Sequence, residues 1–258
     1  MIKIFRATIE DGLASRLERR TFALKTANAD SVAARRAWTA ARQERRGIRE
    51  QLVQMAPGIE RCMYCGDNRG TDIDHFEPIK ELPTGTFEWL NHLLACSTCN
   101  SNQKRDSFPR DESGAALLLD PTRDDPVKHL RLILRMGDYR PLTPQGRASI
   151  EVFGLNRRDL TRGRAGAFEV AKAALCRAHD LLRRGRHDEA GDCVRALTEQ
   201  PHASVLHEIL RSAPLPGAID VLGADLVAAL MDQEVLALLP ESSQASVNLR
   251  LTFRRAST

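Results

Sequence analysis

The sequence predicts an α+β protein, predominantly helical, with a small turn-rich centre set between helical regions. Three observations carry this. Residues 12–54 contain no Pro and are dominated by Ala, Leu, Arg, Glu and Gln, which is helix composition. Residues 59–110 lose those helix formers and gain Cys, Gly, Asn, Asp and Pro. Residues 143–239 return to periodic Ala/Leu-rich segments with Gly or Pro at their joints. At about 150 residues per domain, 258 residues make one or two domains. The composition divides them into an N-terminal helical segment (1–58), a centre (59–110) and a mostly helical C-terminal region (111–258).

In the first segment, Trp38, Ala41, Ile48 and Leu52 fall at roughly helical intervals. Arg35, Arg36, Arg42, Arg45, Arg46 and Arg49 are too many for one stripe, so they wrap much of the helix. Pro57-Gly58 ends the region. Beyond the centre, VKHLRLILRM alternates in a way that favours a strand near 127–135. Residues 143–160 fit a helix, a break at Gly154, and a second helix with Asn156 as its N-cap. Segments 162–184, 186–200, 201–212 and 217–239 read as a helical tail.

Apolar residues make up 42% and charged residues 28%, ordinary globular values that argue against wholesale disorder. No stretch approaches 18 apolar residues, so no transmembrane helix is expected. The opening MIKIFRATIEDGLASR has charges where a signal peptide has its apolar core. The expectation is a cytoplasmic protein with no membrane partner. The net charge of +4 hides a pattern: +6 over residues 1–61, −5 over 62–120, +6 over 121–190 and −3 over 191–258. An acidic segment between two Arg-rich ones suits a cation-binding centre flanked by phosphate-binding surfaces, or simply solvated helix faces.

Four of the six cysteines fall into two pairs, CMYCG at 62–66 and CSTCN at 96–100. In a reducing compartment such pairs point to metal. Cys62, Cys65, Cys96 and Cys99 supply four thiolates for a tetrahedral Zn²⁺ with no open position, which makes the site structural. A turn-rich segment poor in aliphatics needs such a brace. A dithiol redox role is the competing reading, and it leaves the second pair unexplained. Cys176 and Cys193 read as small core residues.

Between the pairs lie TDIDHFEPIK (71–80) and EWLNHLLAC (88–96). His75 is a side chain that takes a proton from water near neutral pH. Asp74 and the amides of Asn91 and Asn100 offer hard oxygen ligands suited to Mg²⁺ or Mn²⁺. Taken singly, His75 reads as structural and the two Asn as turn or cap residues; the joint pattern is what points to a site. His92 competes for the base role. If residues 91–92 lie in a strand, however, Asn91 and His92 face opposite ways. Asp72 shares the face of Asp74 and is a minor metal candidate, and Glu77 reads as a surface residue.

The arrangement CMYCG, DIDHFEP, WLNHLLAC and CNSNQK over residues 61–106 resembles the HNH endonuclease family of the ββα-metal type. The last signature position holds Asn100 rather than His, a variant the family also uses. The resemblance implies a ββα-metal core with a structural zinc knot and a metal-dependent endonuclease. His75 would be the general base, Asp74 and Asn100 the ligands of a catalytic Mg²⁺ or Mn²⁺, and Asn91 the residue that holds the catalytic loop. It implies DNA as substrate, with RNA equally readable by such a site, and products bearing 5′-phosphate and 3′-hydroxyl ends. Lys104 would lie one turn beyond Asn100, toward a phosphate or in solvent. Arg45, Arg46 and Arg49, with Arg35, Arg36 and Arg42 before the centre and Arg157, Arg158, Arg162 and Arg164 after it, are candidate phosphate contacts.

A looser resemblance, through MIKIF and LLLDPTRDDPVKHLRLILRMGDYRPLTPQGRASIEVFGLNRRDLTRGR, is to the PtuB-like HNH proteins of Septu-type and retron-linked anti-phage defence. It implies a partner ATPase, with the helical tail as a docking surface. The competing readings are a zinc-braced nucleic-acid-binding module without catalysis and a stand-alone restriction nuclease.

Overall fold

The computed structural model describes residues 1–56 and 59–239, so the Pro57-Gly58 stop and residues 240–258 lie outside the described residues. The chain forms two compact units. The first is Met1–Arg131 with Arg140–Leu155, and the second is Leu132–Tyr139 with the chain from Asn156 onward.

The first unit opens with three helices, α1 (Asp11–Thr26), α2 (Ser31–Ala40) and α3 (Arg42–Met55). The continuous helical composition of 12–54 is therefore broken twice. Asn28 takes the left-handed conformation (φ 45°), and the Asp30 carboxylate caps α2 by accepting from the Ala33 N–H at 2.8 Å. At Ala41 the backbone leaves helical geometry (φ −84°, ψ 55°), and the residue is buried. Strands β1 (Asp72–His75) and β2 (His92–Ala95) form an antiparallel pair with Asp74 opposite Leu93 and His75 opposite His92. A π-helix, Thr98–Lys104, follows. Helix α3 packs on both strands and α1 packs on α3. Leu13 and Leu17 of α1, Ile48 and Leu52 of α3, and Leu93 and Leu94 of β2 are buried together with Tyr64, Phe87 and Phe153. This shared core is why the N-terminal helices and the cysteine segment lie in one compact unit. Helix α4 (Pro144–Val152) starts on Thr143, whose hydroxyl accepts from the Gly146 N–H at 3.1 Å.

The expected strand near 127–135 is β3 (Leu130–Ile133), which turns back into β4 (Asp138–Pro141). Gly137 makes that turn at φ 72°, and a Cβ there would sit 2.0 Å from the Thr161 carbonyl oxygen. The second unit is built on α5 (Arg158–Arg183), whose buried residues Leu160, Arg164, Phe168, Ala171, Leu175, Ala178 and Leu182 recur at helical spacing. Helices α6 (His187–Thr198), α7 (Ala203–Ser212), α9 (Ala224–Met231) and α10 (Gln233–Ala237) pack against it, with α8 (Ala218–Leu222) beside α9. Asn156 is not the N-cap of α5, a place taken by Arg157. Its amide instead pairs with both backbone groups of Tyr139, at 2.7 and 2.8 Å. Arg164 does not face a phosphate. It is fully buried, donates to the Gly137 carbonyl at 2.8 Å and lies 4.5 Å from the Tyr139 ring centroid. Among the described residues no helix is long and apolar enough to cross a membrane.

Candidate functional site

Cys62 and Cys65 lie on a turn that Gly66 closes at φ 79°, with its N–H bonded to the Cys62 carbonyl at 2.9 Å. Cys96 directly follows β2 and Cys99 lies in the π-helix. The Met63 N–H bonds to the Leu94 carbonyl at 2.8 Å, which ties the first pair to β2. All four sulfurs are buried and lie within 4.8 Å of one another, and Cys65 Sγ is 3.9 Å from Cys96 Sγ. A tetrahedron with metal–sulfur bonds of about 2.3 Å has edges of about 3.8 Å, so the group fits Zn²⁺. Burial pushes the Cys62 thiol up, while hydrogen bonds from neighbouring thiols push Cys96 down. A dication is the partner such a packed set of sulfurs calls for. Four thiolates would leave a bound Zn²⁺ no free position, so such a site would brace the fold rather than react.

The four-cysteine group lies at one end of a strand pair whose far end carries two histidines. His75 Nε2 and His92 Nε2 each lie 3.0 Å from the Thr86 carbonyl oxygen. A carbonyl only accepts, so both Nε2 atoms carry hydrogen and both Nδ1 atoms carry the lone pair. His92 Nδ1 is buried without a partner among the described residues. Trp38 of α2 closes the pocket, edge-on to His75 at 4.5 Å and stacked with His92 at 5.3 Å between centroids. Burial lowers His75 to about 4 and His92 well below the ordinary value, so both rings are neutral near pH 7. Arg6 reaches under the strand end and donates to the His92 carbonyl at 2.8 Å.

Asn91 fastens the loop that presents Thr86. Its Oδ1 accepts from the Glu77 N–H at 2.8 Å, and its Nδ2 donates to the carbonyls of Glu77 at 3.0 Å and Gly85 at 3.3 Å. Asn91 closes a short 3₁₀ turn and β2 begins only at His92. The strand argument for setting them on opposite faces therefore does not apply, and both serve the same pocket. Glu77 pairs with Arg110 at 2.5 Å.

Alternation along β1 turns Asp74 away from the histidines. Its carboxylate is buried, with Oδ2 accepting from the Tyr64 hydroxyl at 2.5 Å and Oδ1 from Lys104 Nζ at 3.0 Å. Tyr64 is stacked on Phe153 at 3.9 Å. Burial raises Asp74 above the usual carboxylate range, and the Lys104 ammonium opposes this. Lys104 is thus neither solvated nor turned to a phosphate, because the π-helix aims it inward onto Asp74 and the His75 carbonyl (2.5 Å). The Asn100 amide turns to Asp72 Oδ2 at 3.4 Å, not to Asp74. With both Asp74 oxygens engaged and Asn100 directed elsewhere, the pair does not fit a shared Mg²⁺ or Mn²⁺ as arranged here.

The ion pair predicts a stability effect. Lys104→Met should cost about 3–5 kcal/mol in chemical denaturation, since it strands a buried carboxylate. Adding Asp74→Asn should recover much of that loss.

The basic candidates separate as well. Arg46 pairs with Glu50 at 3.0 Å and Arg49 with Glu60 at 2.7 Å, while Arg45 lies over Trp38 at 5.6 Å. Sequence reasoning missed Trp38, Tyr64 and Thr86. Tyr64 was readable inside CMYC, and Trp38 only as an apolar helix position. Thr86 acts through its backbone, which no residue type announces.

Comparison with known proteins supplies the class. Residues 62–106 match the family model described as HNH endonuclease. The chain is also similar to the Septu protein PtuB of Bacillus mycoides (strain KBAB4), 30% identical over 155 residues, which is 48% of this chain and 51% of that protein. It thus spans about half the length of the curated relative it matches.

Proposed function

We propose that this protein is an endonuclease that hydrolyses phosphodiester bonds of DNA, with His75 as its general base, and that it serves an anti-phage defence assembly together with a partner ATPase. The observation that carries the catalytic part is the Thr86 carbonyl 3.0 Å from His75 Nε2, which leaves Nδ1 as the acceptor. The similarity to a Septu PtuB protein supports the defence part.

In this reading a water gives its proton to His75 Nδ1 as its oxygen attacks phosphorus, and the bond to the 3′-oxygen breaks. The departing oxygen takes a proton from solvent, leaving 5′-phosphate and 3′-hydroxyl ends. The imidazolium so formed keeps its Nε2–H bond to Thr86, which stabilises the positive ring. The family's divalent cation would neutralise charge on the phosphate. The engaged side chains of Asp74 and Asn100 assign it no step here.

A second reading, a zinc-braced nucleic-acid-binding module without catalysis, is favoured by the closed Asp74–Lys104 pair. Supercoiled plasmid and single-stranded RNA, incubated with the protein in Mg²⁺, Mn²⁺ or EDTA, separate the two. Nicking of plasmid is the expected result, and its loss in EDTA would show that a cation binds with these side chains rearranged. Binding with no cleavage of either nucleic acid would leave the binding module. RNA cleavage with intact plasmid would change the substrate.

A further inference from the structure

The corner between α2 and α3 presents several cations that no acidic side chain pairs with among the described residues. An open groove of about 540 Å³ is lined there by Val32, Arg35, Arg36, Thr39, Ala40 and Arg42. Arg36, Arg42 and Arg45 are exposed and make no ion pair among the described residues. Arg35 pairs with Asp106 at 2.8 Å. The helix that lines the groove also carries Trp38 into the histidine pocket. Trp38, on the same helix as Arg35 and Arg36, touches His75 at 4.5 Å between centroids, and the Arg45 guanidinium lies over that Trp38 ring.

We propose that the α2–α3 corner is the phosphate-backbone rail of the nuclease centre, with Arg36, Arg42 and Arg45 gripping consecutive phosphates of a nucleic-acid strand beside His75. The proposal rests on the nuclease reading for the identity of the strand and replaces Arg46 and Arg49, whose charges are answered by Glu50 and Glu60. Guanidinium forks match phosphate oxygens and read no base, so the rail is indifferent to sequence. A nucleic acid suits it better than an acidic protein because the cations border the ring proposed to act on a phosphodiester.

The test is binding of a fluorescent 30-base-pair duplex by the full chain carrying His75→Ala, followed by anisotropy between about 50 and 200 mM salt. Each phosphate contact contributes about 0.9 to the slope of log affinity against log salt, so Arg36→Gln/Arg42→Gln/Arg45→Gln should lower that slope by about 2.7. Affinity should fall by about tenfold or more, with zinc content and helical circular dichroism unchanged. Arg19→Gln/Arg69→Gln/Arg147→Gln removes the same charge from exposed positions elsewhere in the unit, and should change the slope by less than about 1. Equal slopes for the two triple variants, or no duplex binding by the parent, would overturn the rail. The two readings fail separately. A wild-type chain that cuts nothing while the corner variant loses slope sinks the nuclease and keeps the rail. A corner variant that binds and cuts like wild type does the reverse.

Discussion

Replacing His75 with Ala should lower phosphodiester cleavage by about 10²–10⁴-fold, the usual contribution of a positioned general base. The same variant should keep one zinc per chain and its helical circular dichroism, because His75 is no part of the cysteine group. His75→Gln fills more of the space beside Trp38 and should be equally slow, which separates loss of the base from loss of packing. His92→Gln should stay within about tenfold of wild type, since the His92 Nδ1 is buried and has no route to a substrate water. Because burial holds His75 down to about 4, the wild-type rate should show no bend at the ordinary histidine value of about 6.5. A rate that halves between pH 7 and pH 6 in parallel with His75 protonation would show the ring to be solvated in the working enzyme. Wild-type cleavage by His75→Ala would end the assignment.

Loss of the zinc ligands should have the largest effect on the fold. A structural Zn²⁺ is worth about 10 kcal/mol or more, as much as the whole stability of a typical domain. Cys65→Ser, or stripping with a strong chelator, should therefore unfold the unit that holds β1, β2 and the π-helix. Helices α5 to α10 contain none of these ligands and bury their own Leu and Ala stripe, so they should remain folded. Hydrogen exchange reads the two outcomes apart. Amides of α3, β1 and β2 should lose protection while those of α5 and α6 keep it. Equal protection with and without metal would show that the sulfurs close the fold by themselves.

Much of the centre was legible because its chemistry sits in side chains at fixed spacing. The two CxxC pairs gather into one cluster as their spacing suggested, and His75 ends β1 while Asn91 directly precedes β2. What could not be read was what depends on the third dimension. Ala41 is a helix former, yet the chain breaks there because α2 and α3 must turn to seat Ala41 and Ile48 in one core. Trp38 read as one apolar position among several, and its place against two histidines comes from that turn. Lys104 was expected toward a phosphate or in solvent, one regular helical turn beyond Asn100, and the π-helix turns it inward instead. The family resemblance put Asp74 on a cation, whereas in the fold strand alternation turns it from the histidines onto Tyr64 and Lys104.

The same π-helix has an evolutionary corollary. Its wider winding, with the Arg105 N–H reaching back five residues to the Asn100 carbonyl, spends one more residue per turn than an α-helix does. A homologue that deleted one of positions 101–103 would keep its lysine over the strand by tightening to ordinary winding. One that gained a residue would swing the ammonium out toward water and orphan the carboxylate. Tolerated length change in this stretch should therefore run in one direction, toward shorter chains.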